Sequence, residues 1–364
     1  MTLKTSAPLP EYHEKLPLKE IFNREAAQAV KDFPELNGRY VFIDAPDNIA
    51  ITKYLDREAL GLEDDYELSR LLSQMKRAAE KAGSSMATKL GRNELDLIVF
   101  TPLPFRPFTG KDQPGEMEIM ATFDHELGHL VVKGAYFSQD STLRESAADA
   151  YAVLRHIQRY GDKSEAIDRG GWRRAFDFIM SGDAGHFTTL VVDEVAALKD
   201  KLDIKAMTPQ QTAELAGRIA LQFTPHMDVT NEAAYSFQSV RETMQYSRSL
   251  EEGLKELAKV TLAEGVEYHT FKIGARALER FLDGKISTQD GPITLEGRFW
   301  DGVRRDLDAR MAKLDSEGLL LGMPLKGSKA FNDNAPPRIA APEPEAPREK
   351  SGFGSWFRKL AFQM

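Results

Sequence analysis

Apolar residues recur at helical spacing over most of this chain and at strand spacing over little of it. From Glu116 to Lys133, Met120, Phe123, Leu127, Leu130 and Val131 share one face. That pattern predicts an amphipathic helix, opened near Asp112 and Pro114 and stopped by Gly134. A second helix is expected from about Thr142 to Tyr160, and another near Leu18 to Phe33. Arg39 to Ile43 and Leu95 to Thr101 read as strands, with Tyr66 to Ala82 helical between them. From Gly161 to about Leu321 the pattern is helical. Thr208-Pro209 is a cap and first-turn signal before a Gln210 to Phe223 helix, Thr230 caps another, and Leu295 to Leu314 forms a last long one. The expected class is α+β, mainly α-helical, with a small N-terminal sheet within residues 1–160 and a helical lobe over residues 161–330.

Beyond that lobe the pattern changes. Residues 331–350 are rich in proline, alanine and charge, which favours an extended linker. Within residues 351–364, Phe353, Trp356, Phe357, Leu360 and Met364 follow the spacing of a short amphipathic helix, with Arg358 and Lys359 toward its polar side. This tail is expected to dock on a partner protein, on a membrane surface or back on its own domain, or to act as a non-Sec secretion signal.

Composition narrows the class. The chain has 364 residues, 42% of them hydrophobic, enough for a sizeable core. A net charge of -8 offers no general attraction to phosphate backbones, so nucleic acid is not an expected partner. With no cysteine, disulfides and thiolate metal sites are ruled out, in keeping with a reducing cytoplasm. Neither an apolar signal segment nor a run of roughly 18 apolar residues appears, so a cytoplasmic chain without transmembrane spans is expected.

The chemistry concentrates in His125-Glu126-Leu127-Gly128-His129. At about 100° per residue the two histidines lie roughly 40° apart on one helix face, so both imidazoles can reach one Zn²⁺. Glu126 is angled aside, where it suits a general base better than a ligand. A polar, solvated face is the plainer alternative. Gly128 costs about 1 kcal/mol in a helix interior relative to alanine, which suggests close approach of another backbone. For a third ligand, the metzincin extension fails at Val132 and Ala135, and no cysteine exists. Glu145 remains, on the next helix, at a height an antiparallel hairpin would bring to the metal. Thr142-x-x-Glu145 also reads as a capping box, in which Glu145 would only satisfy a backbone N–H. Asp149, one turn further, is suited to accept the free ring N–H of a ligating histidine.

HELGH followed by ESAADA resembles the gluzincin zinc metallopeptidases, whose pattern is HExxH with a downstream ExxxD. The strings are most similar to those of the branch containing integral-membrane proteases, although this chain lacks their membrane spans. The resemblance covers about residues 116–160. It implies a zincin-like core, zinc held by His125, His129 and Glu145, Glu126 as base, Asp149 as orienting carboxylate, and a protein or peptide substrate. It also implies a strand beside the zinc helix to receive substrate; Leu95 to Phe100 is the candidate, with a buried structural strand as the equal alternative. A cross-cleft donor to the oxyanion is expected too. His186, in a glycine-flanked loop, comes first, His226 is weaker, and Tyr136 and Tyr151 stay open. His156 is expected beneath the site; His13 and His269 carry no signal. The rival reading is a helical interaction or regulatory protein with a structural or vestigial zinc site, acting through its tail.

Overall fold

The computed structural model describes residues 18–36, 116–133, 141–161, 164–199, 201–247, 249–288 and 291–316, four short strands between 43 and 99, and a few residues between 64 and 70. The expectations for Tyr66 to Ala82 as a whole, for Tyr136, and for the linker and tail lie outside these.

Helices dominate. In chain order they are α1 (Leu18–Asp32), α2 (Glu116–Val131), α3 (Ser141–Tyr160), α4 (Ser164–Ser181), α5 (Thr189–Leu198), α6 (Pro209–Phe223), α7 (Met227–Ser236), α8 (Gln238–Tyr246), α9 (Leu250–Thr261), α10 (Tyr268–Leu282) and α11 (Arg298–Ser316). Among the described residues, the strands β1 (Ile43–Asp44), β2 (Ile49–Ala50), β3 (Met86–Leu90), β4 (Leu95–Val99), β5 (Ser287–Thr288) and β6 (Gly291–Pro292) pair with their sequence neighbours. The expected α+β class is therefore corrected to a helical one among the described residues. Strands of two to five residues close local antiparallel hairpins, and among the described residues each hairpin stands as a two-stranded unit. β4 ends at Val99, and the β3–β4 hairpin lies near α2.

Local signals set several helix starts. Thr208 accepts from the Gln211 N–H while Gln211 returns a bond to the Thr208 N–H, a complete capping box that opens α6 with Pro209 in its first turn. The cap of α7 is His226, whose ring accepts from the Asp228 N–H, and not Thr230. Thr230 lies one turn inside, buried, and its hydroxyl donates to the His226 carbonyl.

Two apolar clusters hold the helices together. The first joins Phe33 beyond α1, Met120, Phe123 and Leu127 of α2, Tyr151 and Leu154 of α3, Val191 and Val195 of α5, and Ile219 of α6. The second joins α4 to α7–α11 around Trp172, Phe178, Phe237, Phe271, Phe281 and Trp300. Chain order does not govern membership: α6 returns to the first cluster. Trp172 also donates its indole N–H to the Ala277 carbonyl at 2.9 Å, so the largest side chain of α4 leaves no buried donor unmet. Among the described residues no helix is long and apolar enough to cross a membrane.

Candidate metal centre

The site is built where α2 and α3 lie against each other. Gly128 makes that approach close: a Cβ placed there would stand 2.9 Å from Ala148 Cα and 3.1 Å from the Ala148 carbonyl oxygen. Ala147, Ala148 and Ala150 present little bulk in return, all three buried. Behind the site, Arg159 of α3 reaches Asp124 of α2, the residue before His125, and Glu25 of α1 at 2.9 Å. The Arg159 and Asp124 side chains are each 1% exposed, so α1 is tied to both helices by a dry ionic contact.

His125, His129 and Glu145 converge. The two Nε2 atoms are 3.2 Å apart, His125 Nε2 is 3.2 Å from Glu145 Oε2, and His129 Nε2 is 3.5 Å from Glu145 Oε1. Ligands at about 2.0–2.1 Å from a tetrahedral Zn²⁺ are separated by about 3.3–3.4 Å, so the donor set already has the size that ion needs. Two imidazoles and a carboxylate are also a suitable donor chemistry for it. The histidine side chains are only 13% and 15% exposed, which removes the solvated-face alternative. Helix α3 begins one residue before Thr142, so Thr142 is not at the boundary where a capping box would place it. Thr142 lies inside α3 and is buried, with its hydroxyl donating to the Ala184 carbonyl at 2.9 Å.

Asp149 stands one turn beyond Glu145 and takes His125 Nδ1 at 2.7 Å on Oδ1. Arg174 of α4 donates to the same oxygen at 2.6 Å, and Thr188, at the start of α5, donates to Oδ2 at 2.5 Å. The charges interlock. Burial disfavours charge on His125, but Asp149 at one ring nitrogen and Glu145 at the other outweigh it and lift its pKa to about 10. His129 is pushed down to about 4 by burial and by the charge of His125. Burial works against the Glu145 carboxylate as well, yet His125, by hydrogen bond and charge, with His129 and Arg174, holds it down at about 2. Asp149 stays far below the usual carboxylate range despite burial, because Arg174 and His125 face it. Burial and charge thus push the two imidazoles in opposite directions, His125 toward its protonated form and His129 toward its neutral one.

The other expected residues fall in different places. Glu126 is buried, 5% exposed, beside His125 on α2. His186 closes a 3₁₀ turn, Ala184–His186, packed against α3, with Nδ1 3.5 Å from Ser181 Oγ. Asp183 caps that turn by accepting the Gly185 N–H, and a Cβ on Gly185 would lie 3.6 Å from Glu145 Cγ. The turn therefore leans on the carboxylate side chain. Tyr151 is 1% exposed in the first core, and burial raises its phenol pKa, so it packs and does not face a cleft. His226 is 78% exposed at its cap position. His156 is buried on α3 with its ring 4.9 Å from that of Tyr160.

Arg174 and Thr188 were not foreseen. They lie 25 and 39 residues from Asp149, and nothing in their local sequence marks them. No protein-family description, curated protein or solved structure matches the chain. The functional reading is accordingly that of the site itself: a histidine, histidine, carboxylate group on two packed helices, able to hold a divalent metal ion.

Proposed function

We propose that this protein is a zinc-dependent hydrolase of gluzincin metallopeptidase type. The observation that carries the reading is the spacing of the ligand atoms, 3.2, 3.2 and 3.5 Å, on the edges of a zinc-sized tetrahedron. In it, His125, His129 and Glu145 hold the ion, and Asp149 keeps the His125 proton on Nδ1 so that Nε2 is free to bind. Zn²⁺ when bound supplies Lewis acidity, polarising a carbonyl and bringing the pKa of water down toward about 7. Glu126, next to His125 on the same helix, accepts the proton of the attacking water on its carboxylate and hands it to the leaving amine. His186, on the turn that leans against Glu145, is assigned as donor to the oxyanion.

The choice of a peptide bond comes from the HELGH and ESAADA strings. A protein or peptide substrate follows from it, and the lack of cysteine and the acidic balance support a cytoplasmic setting without nucleic acid as a partner. Residues 351–364 are assigned to docking on a partner protein or a membrane surface.

The test is metal analysis coupled to activity. The purified protein is expected to hold about one Zn²⁺ per chain and to hydrolyse unstructured protein substrates. Glu126→Gln is expected to keep the zinc and lose turnover, whereas Glu145→Ala loses the zinc. Turnover undiminished in Glu126→Gln would reject the base. One observation favours the rival reading of a regulatory protein with a structural zinc: Glu126 is as buried as the surrounding core. Full zinc in the wild type with no hydrolysis of any peptide library would decide for that reading.

A further inference from the structure

We infer that Arg174 is a positioning residue for the metal centre, acting through Asp149 and assisted by Thr188. The inference rests on the zinc reading above and adds a lobe to the site that the resemblance does not cover.

Asp149 receives three donors, all from side chains that are buried or mostly so. His125 Nδ1 and Arg174 Nη2 share Oδ1 at 2.7 and 2.6 Å, and Thr188 Oγ1 takes Oδ2. A carboxylate with both oxygens engaged on different helices cannot rotate away from the imidazole. Its hold on His125 is then only as firm as the hold of α4 and α5 on it. Arg174 is 22% exposed at its side chain, and its Nη2 also stands 3.2 Å from His125 Nδ1, so the guanidinium lies against the very edge of the ring that it steadies.

The sign of the effect separates this role from that of a bystander. A cation close to a divalent metal site repels the ion, so deleting an idle arginine would tighten zinc binding. Deleting an arginine that orients the ligand pair would weaken it, in the manner of second-sphere partners, by about 10- to 100-fold. The two expectations have opposite directions.

The experiment measures zinc affinity by chelator competition for the full-length wild type, Arg174→Met, Arg174→Lys and Thr188→Val, with the visible spectrum of each Co²⁺-substituted protein beside it. The expected result is a loss of about 10- to 100-fold in Arg174→Met, a smaller loss in Thr188→Val, substantial recovery in Arg174→Lys, and a cobalt spectrum altered in the first and restored in the last. Zinc binding in Arg174→Met as tight as in the wild type, or tighter, overturns the inference. Should Arg174→Met fail to fold, Thr188→Val carries the decision: wild-type affinity and an unchanged cobalt spectrum in that variant overturn the inference equally. A wild type that binds no zinc would instead reject the metal reading itself, and this inference with it.

Discussion

Gly128→Ala offers a test in which local and tertiary effects oppose each other. In an isolated helix the change would stabilise by about 1 kcal/mol, because alanine loses less backbone entropy than glycine. Here the new Cβ would meet Ala148 Cα at 2.9 Å, against an ordinary carbon–carbon separation of about 3.5–4.0 Å. The obstacle is backbone, so it cannot swing aside as a flexible side chain would. Relief requires α2 and α3 to part by at least roughly 0.5 Å, and overpacking of this kind costs about 1–3 kcal/mol. The balance is a net loss of up to about 2 kcal/mol. The same movement stretches the His129–Glu145 separation, already 3.5 Å, beyond what a tetrahedral ion spans, so zinc affinity falls as well. Urea unfolding of the metal-free protein and chelator competition read the two effects independently. A Gly128→Ala protein more stable by about 1 kcal/mol, with zinc affinity unchanged, would refute the packing argument outright.

Two further expectations follow from the charges around the site. Because the His125 pKa is raised to about 10, zinc must displace one proton below that pH, and log affinity should rise by about one per pH unit between about pH 5 and 9. His129, lowered to about 4, is neutral throughout that window and adds no second proton, so a slope near two at pH 5–6 would contradict the assignment. In the metal-free protein the same raised pKa contributes stability that is complete below about pH 6.5 and lost as pH climbs through about 10, a trend that denaturant midpoints across this range would show. Behind the site, Glu25→Ala takes one of two carboxylates from the buried Arg159 while Asp124 remains, and should cost about 2–3 kcal/mol. An unchanged unfolding midpoint in that variant would mean that α1 is not anchored there.

The helical period alone set His125 and His129 one turn apart, and the glycine between them announced a close neighbour that proved to be Ala148. Thr208 and Pro209 likewise marked the start of α6, because a cap and a first-turn proline act within one turn of chain; the structure adds Gln211 to complete a capping box. Such features depend on bonds and sterics inside one turn of chain, so they are legible wherever that turn is folded. Of the strands, Leu95–Val99 was legible as a strand, whereas its partner Met86–Leu90 was not. Whether Leu95–Val99 would join a larger sheet depended on the presence of other edges, and among the described residues it pairs with Met86–Leu90. Thr142 shows the same division, since its place three residues before Glu145 suggests a local cap, while its hydroxyl donates to the Ala184 carbonyl 42 residues away. Arg174 and Thr188 on Asp149, and Glu25 on Arg159, are also contacts of this second kind. An arginine on an amphipathic helix reads as a solvated face until the packing of other helices removes the water and leaves it one buried carboxylate to meet. Periodicity decided which groups could share a helix face; only tertiary packing decided which of them were desolvated together, and the charge interactions of the site become strong only there.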